Sequence, residues 1–404
     1  MLARIALRNV FRNRRRSAIT MVVLVVGATA LILFGGYKEI SFYGLRESTI
    51  RNRVGHLQIY KKGFLNSESQ KPLEFGLENV AGLRRAIEND ARVEMTVPQI
   101  SLMGLVTNGE KSETFLATGV EADKDQKMSA QRLVAGESIS DKETDGVIVG
   151  ELLARSMNVK PGDFLTLMTT TVSGSLNGLD VRVRGTFATG MKEFDERAIK
   201  MPLAGAQQLL QTQKIERLLV LLKKTDETDG VKTTLESQFV QNHWDLEIRD
   251  WSVLATYYHQ VRNIFNGIFG FLGIIVFLIV IVSVANTIIL SIFERTREIG
   301  TLMAMGTRRR QIWAMFFLEG LMIGVAGGFL GIAVGSAAGE LINQAHIQLP
   351  PPPGYTTGYN LRIMLKPSIL ITVMVLSSIT ATLASVLPAL KASRLKIVDA
   401  LGHI

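Results

Sequence analysis

The 404-residue chain contains no cysteine and only five histidines. The first absence excludes disulfides, thiolate metal sites, thiol catalysis and a lipid anchor through cysteine. The histidines (His56, His243, His259, His346, His403) are scattered, with no pair at ligand spacing, so no metal site is expected. The 404 residues also lack a G-x4-G-K-[ST] phosphate loop and a G-x-S-x-G nucleophile elbow. Gly109-Glu110-Lys111-Ser112 lacks the preceding glycine and the strand-to-helix setting. No catalytic residue and no cofactor is therefore expected in this chain. Asp123 with Asp125, and Asp195 with Glu196, could imitate an acid pair but read as exposed loop charges.

Long apolar runs, by contrast, are plentiful. Four segments, 17–37, 267–293, 312–342 and 367–390, are each long and uncharged enough to cross a bilayer as a helix. Positive charge clusters on one side of them. Arg4, Arg8, Arg12, Arg14, Arg15 and Arg16 precede the first segment. Arg295, Arg297, Arg308, Arg309 and Arg310 follow the second, and Lys391, Arg394 and Lys396 follow the fourth. The loop between the third and fourth offers only Arg362 and Lys366. The positive-inside rule places both termini and the 294–311 loop in the cytoplasm. The polar stretch 38–266 and the loop 343–366, with its run of prolines at 350–353, then lie outside.

The formal charge of +9 does not indicate nucleic acid. Between residues 38 and 262 stand 29 basic and 31 acidic residues, so the basic excess belongs to the membrane flanks. No basic patch with interleaved aromatics occurs. The apolar run at 17–37 continues past Ala28-Thr29-Ala30. Residues 1–16 also alternate an apolar face (Leu2, Ile5, Ala6, Val10, Phe11) with an arginine stripe. Both features favour a retained span behind an amphipathic cytoplasmic helix over a cleaved signal peptide.

The outer stretch reads as an α+β domain of two lobes, because strands and helices interleave without a regular βαβ rhythm. Expected strands include 54–60, 93–107, 113–120, 164–171, 180–188, 217–223 and 245–249. Expected helices include 78–89, 152–157, 202–210 and 231–241. A turn is expected at Asn108-Gly109, and a hairpin closed by Ser173-Gly174-Ser175 and Asn177-Gly178. Residues 38–52 and 251–266 extend the first two spans as helical stalks.

Three membrane features stand out. Gly320, Gly324 and Gly328 form one i+4 row in the third span, and Gly327, Gly331, Gly335 and Gly339 a second. Such rows let helices approach closely. Glu319 lies inside that span, where a carboxylate is expensive. Asn286 and Ser283 in the second span are expected to bond between helices. Residues 294–306 form a short polar helix with an apolar stripe (Ile292, Ile299, Leu302, Met303, Gly306). It reads equally as an interfacial helix on lipid or as a docking helix for a cytoplasmic partner.

The run E-R-T-R-E-I-G-T-L-M-A-M-G, then R-R-R-Q-I and F-F-L-E-G, resembles the signature of the MacB/LolC/LolE/FtsX permease superfamily. The ending L-P-A-L-K-A-S-R-L-K-I-V-D-A-L and the segment V-I-V-G-E-L-L-A-R-S-M-N-V-K-P-G-D-F-L-T-L resemble it too. The resemblance implies a permease subunit of an ABC-type mechanotransmission complex in a bacterial inner membrane. It implies a second permease, as homo- or heterodimer, and a separate cytoplasmic ABC ATPase that carries the ATP and Mg. The coupling helix maps onto Glu294, Arg295, Arg297, Glu298, Ile299, Leu302, Met305 and Gly306. Because the chain begins at the membrane, its layout is nearest the LolC/LolE type. Lipoproteins or similar acylated cargo are then the expected substrate, entering along Val26, Phe34, Ile268, Phe271 and Ile275. The hairpin near 171–180 lacks the proline of a LolC-type hook, so a LolE-like or homodimeric arrangement is expected. The alternatives are a MacB-like efflux permease with a periplasmic adaptor, or an FtsX-like regulator of a periplasmic hydrolase.

Overall fold

The computed structural model describes residues 14–64, 72–129, 131–351, 354–356 and 358–394. The amphipathic helix expected at 1–16 and the tail at 391–404 lie almost wholly outside them, as do two of the prolines at 350–353. The chain divides into two compact units. One comprises Met1–Tyr43, Val261–Leu349 and Asn360–Ile404; the other comprises Gly44–Gln260 and Pro350–Tyr359.

The elements follow one another from a long first helix. Helix α1 (Arg14–Thr49) ends in a π-helical turn, Ile50–Val54. Then come β1 (Leu57–Lys61), α2 (Val80–Glu88), β2 (Val93–Thr107), β3 (Ser112–Val120), α3 (Ala122–Met128) and β4 (Arg132–Gly136). Next are β5 (Gly146–Gly150), α4 (Glu151–Met157), β6 (Phe164–Thr170), β7 (Leu176–Ala188), α5 (Lys192–Asp195) and β8 (Ala198–Pro202). The second unit closes with α6 (Leu203–Leu210), β9 (Arg217–Leu222), α7 (Thr228–Gln241), β10 (Leu246–Asp250) and α8 (Trp251–Leu254). Helices α9 (Thr256–Glu294), α10 (Thr296–Ala304), α11 (Arg309–Gln344) and α12 (Pro367–Ser393) complete the chain.

Among the described residues of the sheet unit, ten strands form one mixed sheet, ordered β10-β1-β9-β2-β3-β8-β5-β7-β4, with β6 pairing β2 and β7. The fifteen-residue β2 is its spine, paired with β9 at its start and with β3 and β6 towards its end. Gly104 makes that crowding possible: a Cβ there would lie 2.0 Å from the Met168 carbonyl oxygen. One face of the sheet carries two separate apolar cores, the physical content of the two expected lobes. Val231, Leu235 and Phe239 of α7 and Ile87 of α2 pack on β1, β9 and β10. Leu153 and Met157 of α4 and Ala206 and Leu209 of α6 pack on β2, β3 and β5 to β8. The segment 350–359 joins this unit, where Thr356 N–H donates to the Gly190 carbonyl at 2.8 Å and Lys192 N–H to the Gly354 carbonyl at 2.9 Å.

Several expectations need correction. Asn177-Gly178 lies within β7, in register with Thr169 and Met168, and the turn sits at residues 171–175. Helices α3 and α5 and strands β4 and β8 lie in stretches where the sequence pattern predicts no element. Asp125 and Asp195 are not exposed loop charges but are both 1% exposed. Lys200 of β8 reaches both oxygens of Asp125, at 2.9 and 2.8 Å. Asp195 accepts from Thr189 N–H and Oγ1, at 3.0 and 2.7 Å. A carboxylate can stay buried when charge and donors meet it in this way.

Among the described residues, the helical unit contains four helices long and apolar enough to cross a membrane: α1, α9, α11 and α12. Pro367 opens α12 at a position where its missing N–H costs nothing. Leu24 of α1, Val284 and Ile288 of α9, Phe316 and Ile323 of α11, and Ala381 and Ala389 of α12 form the core.

Candidate functional site

The short helix α10 is built to hold one face and show the other. Ile299 is buried in the core of the helical unit, together with Ile292, Ile312, Phe316 and Ala389. Leu302 and Met303 pack against the same core. Arg295, just before the helix, is also buried, and its Nε donates to Glu298 Oε2 at 3.2 Å. Thr296 Oγ1 donates back to the Ile292 carbonyl at 3.0 Å, which tightens the corner between α9 and α10. Outward lie Glu294, Arg297, Glu298, Gly306 and Met305, the last 71% exposed. Gly306 ends the helix at φ +94°, a region that favours glycine, while its N–H donates to the Met303 carbonyl. Arg308 N–H then donates to Gln311 Oε1 at 2.9 Å and starts α11. Of the eight expected docking residues, Arg295, Ile299 and Leu302 therefore face inward and position the helix rather than line its outer surface.

Gly320, Gly324 and Gly328 meet one partner helix and Gly327, Gly331 and Gly335 another, while Gly339 meets Ile363 and Leu365 ahead of α12. A Cβ on Gly320 would fall 2.7 Å from Ser385 Cβ, on Gly324 2.9 Å from Ala381 Cβ, and on Gly328 2.8 Å from Met374 Sδ. That row faces α12. On Gly327 it would fall 2.8 Å from Leu24 Cβ, on Gly331 2.3 Å from Ala28 Cβ, and on Gly335 2.9 Å from Ile32 Cδ1. That row faces α1. One helix thus uses two stripes of missing side chains to hold two neighbours at once.

Glu319 is 6% exposed, its Oε2 has no hydrogen-bond partner among the described residues, and the nearby charge acting on it is Arg295. The hydrogen bonds expected of Asn286 and Ser283 are not formed among the described residues; Asn286 is exposed. The link between the first two spans runs instead from Thr20 Oγ1 to Thr287 Oγ1, at 2.5 Å. Adjacent positions on a helix point to different sides, so Thr287 turns inward where Asn286 cannot. Val26, Phe34, Ile268, Phe271 and Ile275, expected to face cargo, are all exposed within the single chain.

In the sheet unit a hydrogen-bonded relay ties the end of α1 to the sheet. Thr225 Oγ1 donates to Glu47 Oε1 at 2.9 Å and stands 3.1 Å from His56 Nε2. His56 Nδ1 accepts from the Leu222 N–H at 3.1 Å. Burial pulls the imidazole down to about 4, against the opposing pull of Glu47, so it is neutral at pH 7. At the same end of the sheet, where Asp250 stands opposite Leu57, burial pushes its carboxyl up, but bonds from Lys232 and Ser252 outweigh it and hold it at about 2. Asp250 also caps α8, accepting from the N–H groups of Ser252 and Val253.

These features define a multi-pass membrane protein with a large mixed α/β unit inserted after its first span. Two family models cover nearly all of it. The MacB-like periplasmic core domain matches residues 17–238, and the FtsX-like permease C-terminal model matches 270–397. The chain belongs to this family of MacB- and FtsX-like ABC transporter permeases. It is 23% identical over 363 residues to the pyoverdine export ATP-binding/permease protein PvdT of Pseudomonas putida, covering 83% of this chain and 51% of that one. It is 24% identical over 240 residues to the macrolide export protein MacB of Psychrobacter cryohalolentis, covering 59% and 34%. It is 21% identical over 269 residues to the lipoprotein-releasing protein LolE of Haemophilus influenzae, covering 63% and 62%. The chain thus spans about a third of the length of the first of the MacB relatives it matches. The periplasmic region of MacB from Actinobacillus actinomycetemcomitans is structurally similar, with TM-score 0.37 and 14% identity, over 51% of this chain and 94% of that one.

Proposed function

We propose that this chain is the permease subunit of an ABC-type mechanotransmission complex in a bacterial inner membrane, with its sheet unit in the periplasm. ATP and Mg are held by a cytoplasmic ABC ATPase subunit docked on α10, and a second permease completes the complex. The observation that carries this reading is α10 itself. Its inner face is locked to three membrane helices through Ile299, so force applied to its outer face is delivered to those helices. Acylated cargo, such as a lipoprotein taken from the membrane, is the proposed substrate. The LolE relative and the exposed apolar faces of α1 and α9 support it. The efflux reading, with an adaptor, has the support of the MacB and PvdT relatives.

The test is purification of the tagged chain from native membranes, with mass spectrometry of what accompanies it. A small ATPase with acylated lipoproteins is expected. An ATPase with an adaptor would move the substrate assignment to efflux. Met305→Asp changes an exposed side chain only. It should leave insertion intact and lose the ATPase, and an unchanged yield of ATPase would refute docking on α10.

A further inference from the structure

Among the described residues, apolar clusters cover the second face of the sheet at its ends. At one end Val97, Leu219 and Leu221 pack with Met128 of α3. At the other, Ile148, Phe187 and Ala198 pack with Ile139 and Phe194. Between them lies a cavity of about 700 Å³, within the usual size range of small-molecule sites. Strand register sets its floor: Gln99 stands opposite Arg217, Ser101 opposite Thr118, Met103 opposite Leu116, and Thr118 beside Lys200.

Two properties of this cavity point to one ligand chemistry. Met103 and Leu116 are 70% and 44% exposed, a cross-strand apolar pair without a cover among the described residues. The lining also carries three cations, Arg53, Lys200 and Arg217, against two acids, Asp125 and Glu216. Gln99 is buried and its Oε1 accepts from Arg217 Nη2 at 3.3 Å, but its amide nitrogen meets no protein acceptor among the described residues. Arg217 Nε is likewise buried without a partner. Arg53, at the rim, lies 5.7 Å from the Phe194 ring centre, with no carboxylate within ion-pair distance among the described residues. The two lining acids are already engaged, Glu216 by Arg217 and Asp125 by Lys200. One unmet buried donor, Arg217 Nε, and a cation with no ion pair among the described residues favour an anion, because leaving a buried donor unmet costs about 1–3 kcal/mol.

We infer that this cavity binds an anionic amphiphile. Its apolar body lies on Met103 and Leu116, and its carboxylate or phosphate head is taken by Gln99, Arg217 and Arg53. This site does not depend on α10 or on an ATPase.

The absence of cysteine makes the test clean. Leu116→Cys, labelled with an environment-sensitive bimane, is placed in the full chain in lipid nanodiscs. Dodecanoate, dodecyl phosphate and dodecyltrimethylammonium are titrated in turn, followed by inorganic phosphate. A saturable blue shift is expected with either anionic amphiphile and not with the cationic one, and the stronger anion identifies the head. Arg53→Ala and Met103→Asp, both exposed positions, should each weaken binding by about tenfold, since one charge-assisted contact or one apolar contact accounts for roughly that factor. The inference is overturned by any of four results. These are an equal response to the cationic amphiphile, an unchanged affinity in Arg53→Ala, saturation by inorganic phosphate alone, or the same shift from a label at Gly82→Cys, which faces open space on α2.

Discussion

Single residues show where charge has been taken indoors and how it is held. Lys200 and Asp125 are a pair, both buried, joined by bonds of 2.9 and 2.8 Å. Removing one partner strands the other, so Lys200→Met should cost roughly 3–5 kcal/mol in denaturant unfolding. The double variant with Asp125→Leu should recover most of that loss. His56 makes the opposite kind of statement. Its Nδ1 is an acceptor for Leu222 N–H, so a proton there would face a proton. The unfolded chain takes up this proton below about 6.5, whereas the folded chain resists it until about 4. The unfolded state therefore binds more protons between those values, and stability falls as pH drops from 6.5 towards 4. Melting temperature measured from pH 7 to pH 4.5 should show this slope, and His56→Asn should flatten it.

Elements were legible in the sequence to the degree that their signal was local. The runs that became α1, α9, α11 and α12 are long and apolar, with little charge, and Asn108-Gly109 marks its turn without help. Strand β8 gave no such signal. Its five residues, Ala198–Pro202, are all buried and include a lysine, which reads as nothing until Asp125 appears beside it. The glycine rows of α11 were visible, but their destinations were not: spacing announces close approach and does not say to which helix. Those destinations can be tested. A Cβ on Gly331 falls 2.3 Å from Ala28 Cβ, so Gly331→Ala overpacks the α1 contact. It should cost about 1–3 kcal/mol in detergent unfolding. Adding Ala28→Gly should restore much of it, a rescue that a general loss of helix flexibility would not produce.

At the scale of the molecule, the proposal rests on a sidedness that the arginine clusters set and that direct labelling can check. Because the chain has no cysteine, single-cysteine variants report without background. Gly82→Cys, on α2, should react with a membrane-impermeant maleimide in cells whose outer membrane has been permeabilised. Met305→Cys should react only after the inner membrane is opened. The reverse pattern would overturn the topology and, with it, docking of a cytoplasmic ATPase on α10.

What the sequence alone determined is what depends on neighbours a few residues away. The number of spans, the insertion of a large α+β unit after the first, the small-residue stripes and the corner helix at 294–306 all follow from local hydropathy, charge and spacing. The tertiary structure decided the rest, because it depends on residues far apart in the chain. It turned Arg295 and Ile299 inward, sent two glycine rows to two different helices, and gave the link between α1 and α9 to Thr20 and Thr287 rather than to Asn286. It also brought Lys200 across 75 positions to Asp125, beside a cavity whose walls come from strands that no local pattern could have assembled. Burial converts an ordinary surface charge into a structural one, and only the folded chain says which charges are buried.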